Sequence, residues 1–140
     1  MIRYAALLAA AASLAAAARA DDFQGAQTPS HNIYCLASPA DDVTPTVELR
    51  CDIQHMDNKW PPAPKSCPLS WGDAFVLDPT GPGRLQCHGD TTENLSAPVM
   101  AYGTQWKPYA FVCTSQAAGL TCVNAEGHGF SLSRTAQKVF

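Results

Sequence analysis

Six cysteines, Cys35, Cys51, Cys67, Cys87, Cys113 and Cys122, constrain this 140-residue chain more than any other feature. All six lie downstream of an N-terminal run with the marks of an export signal. Met1-Ile2-Arg3 supplies a positive start, an Ala- and Leu-rich stretch follows, and Ala18-Arg19-Ala20 offers a small-x-small cleavage site. Cleavage after Ala20 is expected, which places the product in the periplasm or outside the cell, where thiols oxidise. An even number of cysteines in that setting reads as three disulfides, with fifteen pairings open on paper. Zinc is a poor alternative, because it needs thiolates at C-x2-4-C spacing and no two of these cysteines come that close.

Residues 21–140 remain after cleavage, a length that suits one domain with its own core. No further apolar run approaches membrane-spanning length, and no cysteine stands at the cleavage site to carry a lipid. With Arg3 and Arg19 removed, 7 basic residues stand against 12 acidic ones, a net charge of −5 with neutral histidines. That balance argues against a nucleic-acid surface.

Residues 21–30 are polar and aperiodic, so they are expected to form an extended lead-in, with order beginning near Phe23 or His31 and a single β domain over 31–140. Ile33, Cys35 and Ala37 then share one side of a short run. Val47, Leu49, Cys51 and Ile53 alternate strictly with Glu48, Arg50, Asp52 and Gln54, as in a half-buried strand whose polar side meets solvent. Setting Cys35 opposite Cys51 in an antiparallel pair brings Ile33 to Ile53 and Ala37 to Leu49, so every same-face partner is apolar. The segment Lys59-Trp60-Pro61-Pro62-Ala63-Pro64 reads as a polyproline strap with Trp60 laid on the core.

A second hairpin spans residues 71–78 and 84–88 around Pro79-Thr80-Gly81-Pro82-Gly83, with Asp78 expected opposite Arg84. Pairing Cys67 with Cys87 would tie the strap to that hairpin, although no register enforces it. Residues 99–102 suggest a short strand. In the third hairpin, Cys113 opposite Cys122 pairs Val112 with Val123 and Thr114 with Thr121, leaving a tip at Gln116-Ala117-Ala118-Gly119. Phe130 to Ser133 alternates as a last strand. Three cysteine-bearing hairpins form a weak pseudo-repeat, and beyond the signal no apolar pattern repeats at 3.6 residues. The expected fold is all-β: a small antiparallel sandwich or barrel of three hairpins stapled by three disulfides.

Several short motifs occur in one order: Thr28-Pro29-Ser30-His31-Asn32-Ile33-Tyr34-Cys35, Leu49-Arg50-Cys51-Asp52-Ile53, Trp71-Gly72, Cys87-His88-Gly89-Asp90-Thr91, Tyr102-Gly103 and Gly127-His128-Gly129-Phe130. In combination they resemble a family of small secreted bacterial proteins known as a domain of unknown function. The resemblance covers nearly all of residues 21–140 and implies export and cysteines at these positions, with no activity to carry over. One departure is His31, where the family usually has glycine; a positive φ there would fit histidine less easily.

No catalytic, cofactor or metal residues are assigned from the sequence. There is no Gly-x-Ser-x-Gly, and oxidised cysteines are not nucleophiles. His128, held between two glycines, is the most prominent candidate for binding, against the plainer reading of a tight turn. His88 and Asp90 would complete a two-histidine, one-carboxylate metal set only if His128 joined them. Tyr34, Trp106 and Tyr109 are further candidates for contact, Tyr34 because it points away from Ile33 and Cys35, the other two as loop residues beside Pro108. The expected function is therefore non-catalytic binding of another envelope or extracellular protein, as inhibitor or accessory factor. A glycan-binding module, or a small hydrolase or metal-dependent enzyme using His128, are the alternatives.

Overall fold

The period-2 alternation of the cysteine-bearing segments becomes strand in both halves of the chain. The computed structural model describes residues 22–60 and 62–140, so the expected signal segment and its cleavage site lie outside it. The strands are β1 (Gln24–Gln27), β2 (Ile33–Ser38), β3 (Glu48–Ile53), β4 (Ala74–Leu77), β5 (Arg84–Leu85), β6 (Gln105–Trp106), β7 (Val112–Gln116), β8 (Gly119–Val123), β9 (Gly129–Leu132) and β10 (Gln137–Val139). They form two antiparallel meanders without crossovers, β1-β2-β3-β4-β5 and β6-β7-β8-β9-β10. The fold is all-β, and its sheets remain open rather than closing into a barrel.

The inner faces of the two sheets make one apolar cluster. Ile33, Cys35, Leu49, Cys51, Ile53 and Phe75 from the first meet Phe111, Cys113, Leu120, Cys122, Phe130 and Leu132 from the second. The rings of Phe75 and Phe130 lie 6.0 Å apart, and Trp60 stands edge-on to Phe75 at 5.6 Å, the place expected for it at the head of the proline strap. Each fully buried phenylalanine or leucine stabilises the fold by roughly 1.5–3 kcal/mol.

All three disulfides form as expected: Cys35–Cys51, Cys67–Cys87 and Cys113–Cys122, with no free cysteine among the described residues. The first and third join directly opposed residues of β2/β3 and β7/β8, with Cα atoms 4.1 and 4.0 Å apart. Their registers are those that the apolar pattern requires, Ile33 to Ile53 and Val112 to Val123 included. The β7–β8 tip is tighter than expected, because Gln116 also pairs with Gly119 and only Ala117 and Ala118 turn the chain.

Four further details differ from the sequence reading. Gln24–Gln27 is not a lead-in but an edge strand on β2, held by main-chain hydrogen bonds and by the buried Gln27 side chain rather than by an apolar pattern. Residues 99–102 contribute only an isolated bridge from Val99 to Gln27; the strand falls at Gln105–Trp106 instead. β10 was not anticipated.

The β4–β5 register is displaced by two residues, with Val76 opposite Arg84 and Phe75 opposite Leu85. A slip of two leaves every side chain on its intended face. The longer turn is held from outside: Asn124 Nδ2 donates to the carbonyls of Asp78 and Gly81 at 3.0 and 2.9 Å, and Glu126 accepts from Gly81 N.

Beside this turn the backbones of Gly83 and Gly129 meet without room for a side chain. A Cβ at 83 would lie 2.2 Å from Gly129 O, and one at 129 would lie 1.8 Å from Cys122 O. Gly129→Ala is therefore expected to cost about 2–3 kcal/mol or more, read as a fall in urea midpoint with an unchanged m-value.

Candidate functional site

The outer face of the first sheet is not solvated as Glu48, Arg50 and Asp52 suggested. Tyr34 and Asp52 are each 2 % exposed, and Ala74 and Val76 are fully buried. The cover is the irregular segment that follows Cys87. Thr92 Oγ1 donates to Tyr34 O at 2.8 Å and Thr92 N to Asp52 Oδ2 at 2.9 Å, while Gln27 Nε2 donates to Ala97 O at 2.6 Å. Tyr34, picked out as a contact residue because it points away from Cys35, is thus enclosed rather than presented.

Charged groups pin this cover to the sheet. Arg50 forms a two-pronged pair with Asp52 through Nε and Nη2 at 2.8 and 2.9 Å, and its Nη1 reaches Asp90 Oδ1 at 2.7 Å. His88 is 8 % exposed, with Nδ1 2.6 Å from Asp90 O and Nε2 2.8 Å from Asp73 Oδ1. Both ring nitrogens face acceptors, so the doubly protonated ring satisfies the geometry best. Burial alone would lower its pKa, yet the Asp73 hydrogen bond, the Asp90 carbonyl and the Asp73 charge outweigh burial and the opposing Arg50 charge, holding His88 above its ordinary value. The Arg50 hydrogen bond and then its charge hold Asp90 below the usual carboxylate range. These groups satisfy one another, and their geometry is that of a structural clamp.

His128 is elsewhere, in the β8–β9 turn. Its side chain is 44 % exposed, with Nε2 3.9 Å from Glu126 Oε2. The turn is organised not by the imidazole but by Asn124, whose Oδ1 accepts from the main-chain N–H of Glu126 and of His128. Gly127 supplies the positive φ of +81°. No hydrogen bond or ion pair joins His128 to His88 or Asp90, and no group of three His, Cys, Asp or Glu among the described residues is placed to hold a metal ion. Trp106 belongs to β6 and packs half-buried against the core instead of standing in a loop. Tyr109 is 38 % exposed at φ +50°, and its hydroxyl donates to Asp22 O.

A concave feature lies at one end of the sandwich, and none of the four candidate contact residues lines it. The β1–β2 turn, the β7–β8 tip, the β9–β10 turn and Tyr102 enclose a cleft of about 250 Å³. Its walls are preorganised. Thr28 N donates to Ile33 O, His31 N to Thr28 O, Ser133 N to Ala136 O, and Asp57 N to Arg134 O, all at 2.7–3.0 Å. His31, where the family resemblance expected glycine, does adopt a positive φ of 55°, and its Nδ1 lies 2.7 Å from Gln27 Oε1. Tyr102 is 49 % exposed, and neither its hydroxyl nor the Gln116 amide has a hydrogen-bond partner among the described residues.

Two outcomes test the clamp. Asp52→Ala leaves Arg50 buried against an absent partner and should cost about 3 kcal/mol or more by urea denaturation. Because the pKa of His88 is raised on folding, its stabilisation is full below the unfolded value near 6.5 and is lost as pH rises through the higher folded value. Asp90 acts in the opposite sense, losing its contribution as pH falls from about 3.8 through its depressed value. Melting temperature should therefore decline as pH rises above about 6.5 in the native protein, and His88→Asn should flatten that decline.

Neither a curated protein nor a solved structure matches the chain. The model of a family of unknown function, DUF6636, matches residues 6–140, and the chain belongs to that family.

Proposed function

We propose that this chain is an exported, non-catalytic recognition domain, and that it engages its partner through the loop end of the sandwich. One observation carries the reading: turns from both sheets converge there on a preformed cleft that holds an exposed tyrosine and uncommitted polar groups. Recognition residues on loops held by a rigid scaffold are the usual arrangement for binding, and tyrosine with small polar side chains is well suited to it. The buried charged groups support the same reading, since Arg50, Asp52 and His88 are engaged with one another or with Asp73, Asp90 and Thr92. Three disulfides suit an oxidising setting such as the envelope or exterior, and no helix among the described residues is long and apolar enough to cross a membrane.

The test immobilises the full domain and passes envelope extract over it, with partner classes separated by protease and by glycosidase treatment. Tyr102→Ala with Gln116→Ala is expected to abolish retention of a protein or glycan that the native domain and a His128→Ala control both hold. Retention unchanged in the Tyr102/Gln116 variant would place the binding face elsewhere. Turnover lost in His128→Ala with the fold intact would make the protein an enzyme.

A further inference from the structure

We infer that the loop-end cleft is a subsite for one ring of an uncharged saccharide, with Tyr102 as its stacking platform; the inference rests on the recognition reading above. Size is the first constraint. A cleft of about 250 Å³ falls below the roughly 300–1,000 Å³ of sites for drug-sized ligands, so its occupant is a unit of ring size.

Charge is the second. Arg134 is the one formally charged residue lining the cleft, and its Nη2 already lies 3.1 Å from Asp57 Oδ1, outside the cleft. The local balance is neutral, which gives a carboxylate or phosphate ligand no net attraction. It suits a polyol, which offers hydroxyls to both the guanidinium and the amides.

The lining chemistry is the third. The exposed methyl groups of Ala117 and Ala118 contribute apolar surface, and the half-exposed Tyr102 ring adds an aromatic face on which the C–H side of a sugar can lie. Around that surface stand the Gln116 amide, the Tyr102 hydroxyl and the Ser30 hydroxyl, groups able both to donate and to accept. A hydroxyl-rich ligand needs that dual capacity at its rim.

A peptide strand is the competing occupant, and the backbone argues against it. Strand addition requires an open sheet edge. Turns line the cleft, and the edge of β1 at Gln27 is already used by Pro98 O and Met100 N. The strained φ of His31 in the β1–β2 turn fits a wall held in one shape, where pre-organisation limits the entropy cost of binding a flexible sugar.

The experiment is amide-resolved NMR titration of the oxidised domain with triacetylchitotriose, cellotriose and maltotriose, with sodium acetate and N-acetyl-leucinamide as non-sugar probes. At least one trisaccharide is expected to shift the amides of Tyr102, 116–119 and 133–135, with affinity falling about tenfold in Tyr102→Ala and little in Tyr102→Phe, since the ring carries the contact. Unperturbed amides elsewhere in each variant show that the fold survives. The inference is overturned if none of the sugars shifts these amides at concentrations of about 10 mM, if acetate or the leucinamide binds there more tightly, or if affinity is unchanged in Tyr102→Ala. Should the extract experiment still depend on Tyr102 and Gln116 while all sugars fail, the recognition domain stands and the saccharide assignment falls. Should retention be independent of the loop end, both fall.

Discussion

The two cross-strand disulfides set the terms for everything around them. Each joins residues that face one another across a pair of antiparallel strands, and each points into the space between the sheets. A register slip of one residue would turn the bridge, and all its same-face neighbours, out to the opposite surface. Once Cys35 is fixed to Cys51 and Cys113 to Cys122, the inward positions of β2, β3, β7 and β8 are fixed as well. The phenylalanines at 75, 111 and 130 then have one cavity to fill. For a chain of this size, whose core alone supplies limited stability, such constraint on the unfolded state is a large contribution: a loop of about 15 residues closed by a disulfide adds roughly 3 kcal/mol.

The second sheet-covering layer is of another kind. The inner faces meet through apolar contact, whereas the outer face of the first sheet is closed by a strap of irregular chain held by Arg50, Asp52, Asp90, His88, Asp73 and Thr92. A polar clamp is directional in a way that apolar contact is not, so it locates a segment that has no periodicity of its own. No buried side-chain nitrogen or oxygen among the described residues is left without a partner, which is the condition under which buried polar groups stop being a penalty. This saturation separates the clamp from the loop end, where Tyr102 and Gln116 still have hydrogen bonds to make.

What could be read from the sequence follows from which interactions have a local signature. The pairings of β2 with β3 and of β7 with β8 were legible to the residue, because alternation and cysteine position pointed to one register. The β4–β5 turn was misjudged by two residues because Asn124 and Glu126, more than 40 positions later, hold it open. β1 was missed because QGAQ carries no apolar alternation; it is a strand by virtue of its neighbour. The polar face of β3 looked solvated for the same reason, since nothing in Glu48-Leu49-Arg50-Cys51-Asp52 reveals that Thr92 will lie on it. The site suffered most. His128 and Trp106 draw attention by residue type, but a cleft formed by three turns is a property of the assembled fold, and no stretch of the sequence points to it.

The disulfide connectivity carries a consequence for biogenesis. Every bridge joins cysteines that are consecutive along the chain, with separations of 16, 20 and 9 residues, so the three closed loops neither nest nor interlock. In any chain that emerges N-terminus first, such an order delivers each cysteine's partner before the next pair arrives. Simple vectorial oxidation, taking thiols in their order of emergence, yields the native set. A connectivity of this kind places no demand on reshuffling of mispaired bridges.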